Sequence, residues 1–220
     1  MRASDRLEIA LCDDAGLPQP VLARAQFIVQ FVLYRAGVVA RWNTCGPADE
    51  PAVPRLTIRI RPDARSLDTS ARQLVLGQAL QVRGHLDYAE VYMDSVRKYT
   101  NAPGIVVDYG EMLGCSIVHE VGHLLGNPHT TRGIMAEAFE DPEREALAQR
   151  RLRFTKPEQS VIVQNLRRRT TFETTSKQAS NPSRSMIPAK QPPIDIVTAS
   201  NQSLAAAVSS FAACREALGG

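Results

Sequence analysis

The residues able to do chemistry are concentrated in one stretch, His119-Glu120-Val121-Gly122-His123-Leu124-Leu125-Gly126-Asn127-Pro128-His129, which fits H-E-x-x-H-x-x-G-x-x-H at every specified position. Residues four apart on an α-helix differ by about 40° in direction and about 6 Å in height, so His119 and His123 can reach one metal ion at about 2.0–2.1 Å. His129 cannot join them from the same straight helix, because it would lie too far along the axis. The chain must turn. Gly126 sits where a left-handed residue would end the helix, and Pro128 stops any continuation while keeping Asn127 extended, so His129 can swing back. Three neutral histidines leave the fourth position of a tetrahedral zinc open for water, so the expected cofactor is one catalytic Zn2+. Glu120 points the wrong way to be a ligand but can hydrogen-bond that water. It is the expected general base, taking a proton from a water whose pKa the zinc lowers towards about 7 and passing it to the leaving group.

Plainer readings compete at several positions. A bare H-E-x-x-H also describes a helix with surface histidines, and Gly126 and His129 are what set this one apart. A carboxylate further on, Glu143 or Glu145, is a competing third ligand. Cys115, one turn before His119, reads as a small buried residue, and His85 as a solvated histidine in a turn. The run Arg167-Arg168-Arg169 suits the negative end of its own helix better than a polyanion site.

These residues need elements to hold them. Leu7–Leu11 reads as a short strand, and the apolar spacing of Leu22, Ala25, Ile28, Val29, Val32 and Leu33 predicts a helix over 19–36 ending near Gly37. Val38–Asn43 and the alternating Leu56, Ile58 and Ile60 read as two more strands, with a loop over Cys45–Pro54. Leu74–Val82 and Tyr88–Met93, separated by Arg83-Gly84-His85, look like a hairpin or neighbouring strands. Leu113, Ile117, Val118, Val121, Leu124 and Leu125 then give a helical pattern over Glu111–Leu125 that carries His119, Glu120 and His123. Further helices are expected at Pro142–Arg153 and from Thr155, where Glu158 completes a capping box and the arginine run closes the helix.

The motif, with Met135 after it, resembles that of the metzincin clan of zinc metallopeptidases. The resemblance is specific across His119–Met135, and the order strand, helix, strands, active-site helix is similar to the metzincin N-terminal subdomain. It implies an α+β, zincin-like (metzincin) fold: a mixed, twisted sheet of about five strands packed on helices that include the active-site helix, to which the composition beyond residue 170 adds a disordered C-terminal tail. It implies hydrolysis of peptide bonds in a peptide or protein substrate, with Leu74–Val82 as the sheet edge onto which substrate adds as a strand. Met135 would be the methionine of the turn beneath the metal, although an ordinary core methionine explains it as well. Trp42 and Cys45, together with Arg132-Gly133-Ile134-Met135, are similar to little-studied bacterial zincin-like proteins. Only five residues separate His129 from Met135, and no tyrosine follows closely, so the extra tyrosine ligand of astacin-like enzymes is not expected. Because a fold is shared more widely than an activity, the alternative is a metal-binding zincin-fold regulatory or interaction module with little or no turnover. A structural zinc closed by Cys115 is a third possibility.

At 220 residues, with 44% hydrophobic and 22% charged residues, the chain can bury one core, read as a domain over 1–170 followed by a low-complexity, mostly disordered tail over 171–220. A helix over Ser203–Leu218 would be marginal. The net charge of +3 is small and scattered, which gives no case for nucleic acid, and no segment reaches the roughly 18 apolar residues needed to span a bilayer. No pattern fixes the oligomeric state. The polar Met1–Glu8 carries no export signal, yet the enzymes it resembles act outside the cytoplasm, so a secreted or periplasmic location is the expectation. Cys12 and Cys45 can pair if the protein is exported; separate thiols are the simpler reading.

Overall fold

Alternating burial along 55–61, with Leu56, Ile58 and Ile60 wholly inside, gives a strand, while Ala25, Ile28, Val29, Val32 and Leu33 line the buried side of a helix. The computed structural model describes residues 5–45, 54–63, 75–82, 85–102 and 107–179. In chain order its elements are β1 (Arg6–Asp13), α1 (Gln19–Arg35), β2 (Val39–Thr44), β3 (Arg55–Arg61), β4 (Gly77–Val82), β5 (His85–Tyr92), α2 (Met93–Thr100), α3 (Tyr109–Leu124), α4 (Asp141–Ala148) and α5 (Lys156–Ala179). The strands form one mixed five-stranded sheet in the order β2-β1-β3-β5-β4, so the fold is α+β as expected. Every neighbouring pair is parallel except β4, which returns antiparallel on β5 and forms one edge.

The helices α1 and α3 share the core, α1 against β2 and α3 against β4 and β5. They approach closely because α3 is bare at Gly114, where a Cβ would stand 2.7 Å from Ile28 Cβ and 2.8 Å from the Ala25 carbonyl. Every residue of α3 from Gly110 to Leu124 is buried. The apolar pattern shows one side of this helix; the structure covers the others too, using small residues such as Gly114, Cys115 and Ser116. Asp108 caps it, accepting the Glu111 N–H at 3.0 Å.

Several expectations change. The short helix α2 has no counterpart in the sequence reading, which ends a strand at Met93; Met93, Val96 and Tyr99 are its buried side, a weak signal over eight residues. His85, expected in a turn, is the first residue of β5. The arginine run does not close the last helix, because α5 continues to Ala179. Arg167 instead pairs with Asp5 at 3.0 Å, and Arg169 donates to the Leu124 carbonyl at the end of α3 at 2.6 Å. The turn at 83–84, most of the Cys45–Pro54 loop, Leu74 and residues 180–220, which include the marginal helix over Ser203–Leu218, lie outside the described residues.

The cysteine expectation is overturned by register. Parallel pairing sets Leu11 opposite Thr44, so Cys12 meets Cys45 one step on, and the two form a disulfide with Cα atoms 4.9 Å apart. Closing a loop of 33 residues stabilises the fold by about 3–4 kcal/mol on chain-entropy grounds. Cys115 is buried and free. No helix among the described residues is long and apolar enough to cross a membrane.

Candidate metal centre

The end of α3 is built by backbone hydrogen bonding. Gly126 adopts φ 90°, its N–H donates to the His123 carbonyl at 2.9 Å, and the Asn127 N–H donates to the Gly122 carbonyl at 3.0 Å. This paired closure is a Schellman motif, and it needs a residue without a Cβ at Gly126. The chain then reverses and brings His129 back over the two helical histidines. The expected turn at Gly126 is therefore present.

The three imidazoles meet at their Nε2 atoms: His119 to His123 is 2.9 Å and His119 to His129 is 3.2 Å. Backbone carbonyls set two of the tautomers. His119 Nδ1 donates to the Ile134 carbonyl and His123 Nδ1 to the Asn127 carbonyl, each at 2.8 Å, which leaves the Nε2 lone pairs facing one another. Such facing lone pairs repel unless a cation lies among them. Burial holds the His119 pKa well below 6.5 and the His123 pKa down to about 4; burial lowers His129 as well, with Glu137 opposing the shift. Protons are thus disfavoured where a metal ion fits. Among the described residues these three histidines form the group of side chains able to hold one ion, and neither Cys115 nor Glu145 belongs to it.

Glu143, the competing ligand, serves elsewhere. Its buried carboxylate accepts the Gly133 N–H at 3.2 Å and braces the turn Arg132–Met135. That turn closes with Thr130 N–H donating to the Met135 carbonyl at 2.8 Å and supplies the Ile134 carbonyl that orients His119. Met135 is fully buried, its thioether against the bare backbone of Gly122, one residue before His123. It therefore lies beside the helix that carries the histidines.

Glu120 is the anomaly of the site. It is 1% exposed, and neither carboxylate oxygen has a hydrogen-bond partner among the described residues. Burial pushes its pKa well above 4.5. A buried, unsatisfied carboxylate costs free energy, and such groups concentrate at functional sites. Its carboxylate presses on Gly77 at the start of the edge strand β4, where a Cβ would stand 2.9 Å from Glu120 Oε1. In the sequence, the signal for this contact is a lone glycine, Gly77, inside a predicted strand, a mark of close approach.

No curated protein matches the chain. A solved structure, archaemetzincin from Methanopyrus kandleri, is similar at 16% identity with a TM-score of 0.44, covering 76% of this chain and 98% of that one. The family model described as "Metallopep: Putative peptidase family" matches residues 76–203. That span holds the edge strand, the glutamate and all three histidines and takes in more than half of the sequence, so the chain belongs to the Metallopep peptidase family.

Proposed function

We propose that the protein is a zinc-dependent metalloendopeptidase of the metzincin type, with His119, His123 and His129 as metal ligands and Glu120 as general base. The observation that carries this reading is the convergence of three neutral Nε2 donors at the end of a helix whose buried Glu120 has no hydrogen-bond partner among the described residues. Three nitrogen donors suit one zinc ion, which when bound supplies the Lewis acidity that activates water and polarises a carbonyl. The carbonyls of Ile134 and Asn127 hold His119 and His123 in the donor tautomer. Glu120 accepts the proton of the attacking water on a carboxylate oxygen and returns it to the departing amine. Its raised pKa favours holding that proton between the two steps. Substrate adds to the edge strand β4 by main-chain hydrogen bonds, which brings its backbone past Gly77, where Glu120 lies.

The same reading includes export to an oxidising compartment. The Cys12–Cys45 disulfide supports it, since such bonds persist there and are rare in the cytosol. Alkylation of the protein as isolated from its native source should leave Cys12 and Cys45 unmodified until a reductant is added. The functional test is metal analysis together with cleavage of an unbiased peptide library. About one zinc per chain, and cleavage lost in Glu120→Gln while zinc is kept, is the expected result. A zinc-loaded protein that cleaves nothing in the library would overturn it.

A further inference from the structure

Outside the three histidines, one buried acid is tied to the ligand-bearing loop. Glu158 lies in the first turn of α5 and is 4% exposed. Its Oε2 accepts the Thr155 N–H at 2.6 Å, the side-chain half of the capping box expected there. Capping leaves the second oxygen to spare, and Oε1 stands 3.1 Å from the hydroxyl of Thr130, whose single proton it shares with the Arg132 carbonyl at 2.8 Å. Thr130 follows His129 directly. The backbone carbonyl of Glu158 also accepts the Asn127 amide at 3.4 Å, and the Asn127 carbonyl is the group that orients His123. Asn165, further along α5, donates to the Leu125 carbonyl at 2.9 Å, beside Gly126.

We infer that Glu158 is a positioning residue for the metal centre: from α5 it fixes, through Thr130, the reversed segment that presents His129. This rests on the three-histidine metal reading. The physical reason lies in how differently the ligands are held. His119 and His123 are fixed by a helix buried on all sides, whereas His129 is half-buried on an irregular segment. A ligand on a loop keeps its geometry only if the loop is tied to something rigid, and outer contacts of this kind are worth roughly 10- to 100-fold in metal affinity. An alanine removes both contacts, whereas a glutamine can keep them, because the Thr130 hydroxyl can accept an N–H while donating to the Arg132 carbonyl.

The test compares full-length wild type with Glu158→Ala, Thr130→Val and the double variant, with Arg169→Ala as control. Arg169 joins α5 to the end of α3 through the Leu124 carbonyl. Zinc affinity is measured by chelator competition, and the visible spectrum of the cobalt-substituted protein reports the ligand set. Glu158→Ala and Thr130→Val should each weaken zinc by about 10-fold or more, alter the cobalt spectrum in the same way, and show no additive loss when combined. Arg169→Ala should lower the melting temperature while keeping affinity and spectrum. If Glu158→Ala matches wild type in both readouts, or Arg169→Ala weakens zinc equally, the positioning role is overturned and the metal reading stands. If wild type itself binds no zinc, both fall.

Discussion

The helix α3 buries two glutamates, and they meet opposite circumstances. Glu111, in its first turn, is 6% exposed and neutralised: Arg24 from α1 reaches its Oε1, and Arg150 joins at 3.2 Å. Glu120, near the other end, is 1% exposed and has no hydrogen-bond partner among the described residues. The same residue type on the same helix thus serves two ends. A buried carboxylate paired with arginines from other elements ties those elements together, whereas one with no partner among the described residues carries an uncompensated burial cost.

Exchanging the charge at each position should separate these roles. Glu120→Gln should lower peptide cleavage by about 10²- to 10⁴-fold, the usual worth of a general base, with zinc content unchanged. Steady-state kinetics beside metal analysis would check it, and equal activity in the variant would erase the distinction. Glu111→Gln should do the reverse, costing about 1–3 kcal/mol of stability in a denaturant titration. The figure stays modest because Arg24 and Arg150, at 33% and 57% exposed, can rehydrate. Activity per folded molecule should hold.

Acid titration of the metal-free protein sharpens the contrast further. The histidine pKa values are depressed by folding, so their contribution is present above about 6.5 and is lost as pH falls towards the value of about 4 that burial gives His123. For Glu120 the sign is opposite: its pKa is raised, so its cost is absent below 4.5, where the unfolded carboxyl is protonated, and grows as pH rises through that value. Metal-free Glu120→Gln should therefore be more stable than wild type at neutral pH, and the gap should close below about 4.5. A gap independent of pH would mean that the carboxylate finds a partner in solution. The smallest effect is expected beside the Glu120 end of α3, where Met135 packs on Gly122. Met135→Leu conserves volume and should cost less than about 1.5 kcal/mol in thermal unfolding, with the cobalt spectrum kept.

What could be read from the chain without its fold was whatever depends on local geometry. His119, Glu120 and His123 share a helix because the apolar spacing around them has helical period, and Gly126 ends that helix because its position demands a positive φ. The strands β1, β2 and β3 were legible for the same reason, as short alternating or apolar runs bounded by turn residues. Contacts between distant segments were not legible, because they depend on register and packing that no local pattern encodes. Parallel pairing of β1 with β2 decided that Cys12 and Cys45 join. The crossing of α1 over α3 decided that Glu111 is paired, and the approach of β4 decided that Glu120 lies on Gly77. The docking of α5 made a capping glutamate, Glu158, a neighbour of the segment that carries His129. The sequence determined which donors stand on one helix turn and where the chain reverses; the tertiary structure decided which buried carboxylate is neutralised and which has no partner among the described residues, because neutralisation needs partners from elsewhere in the chain.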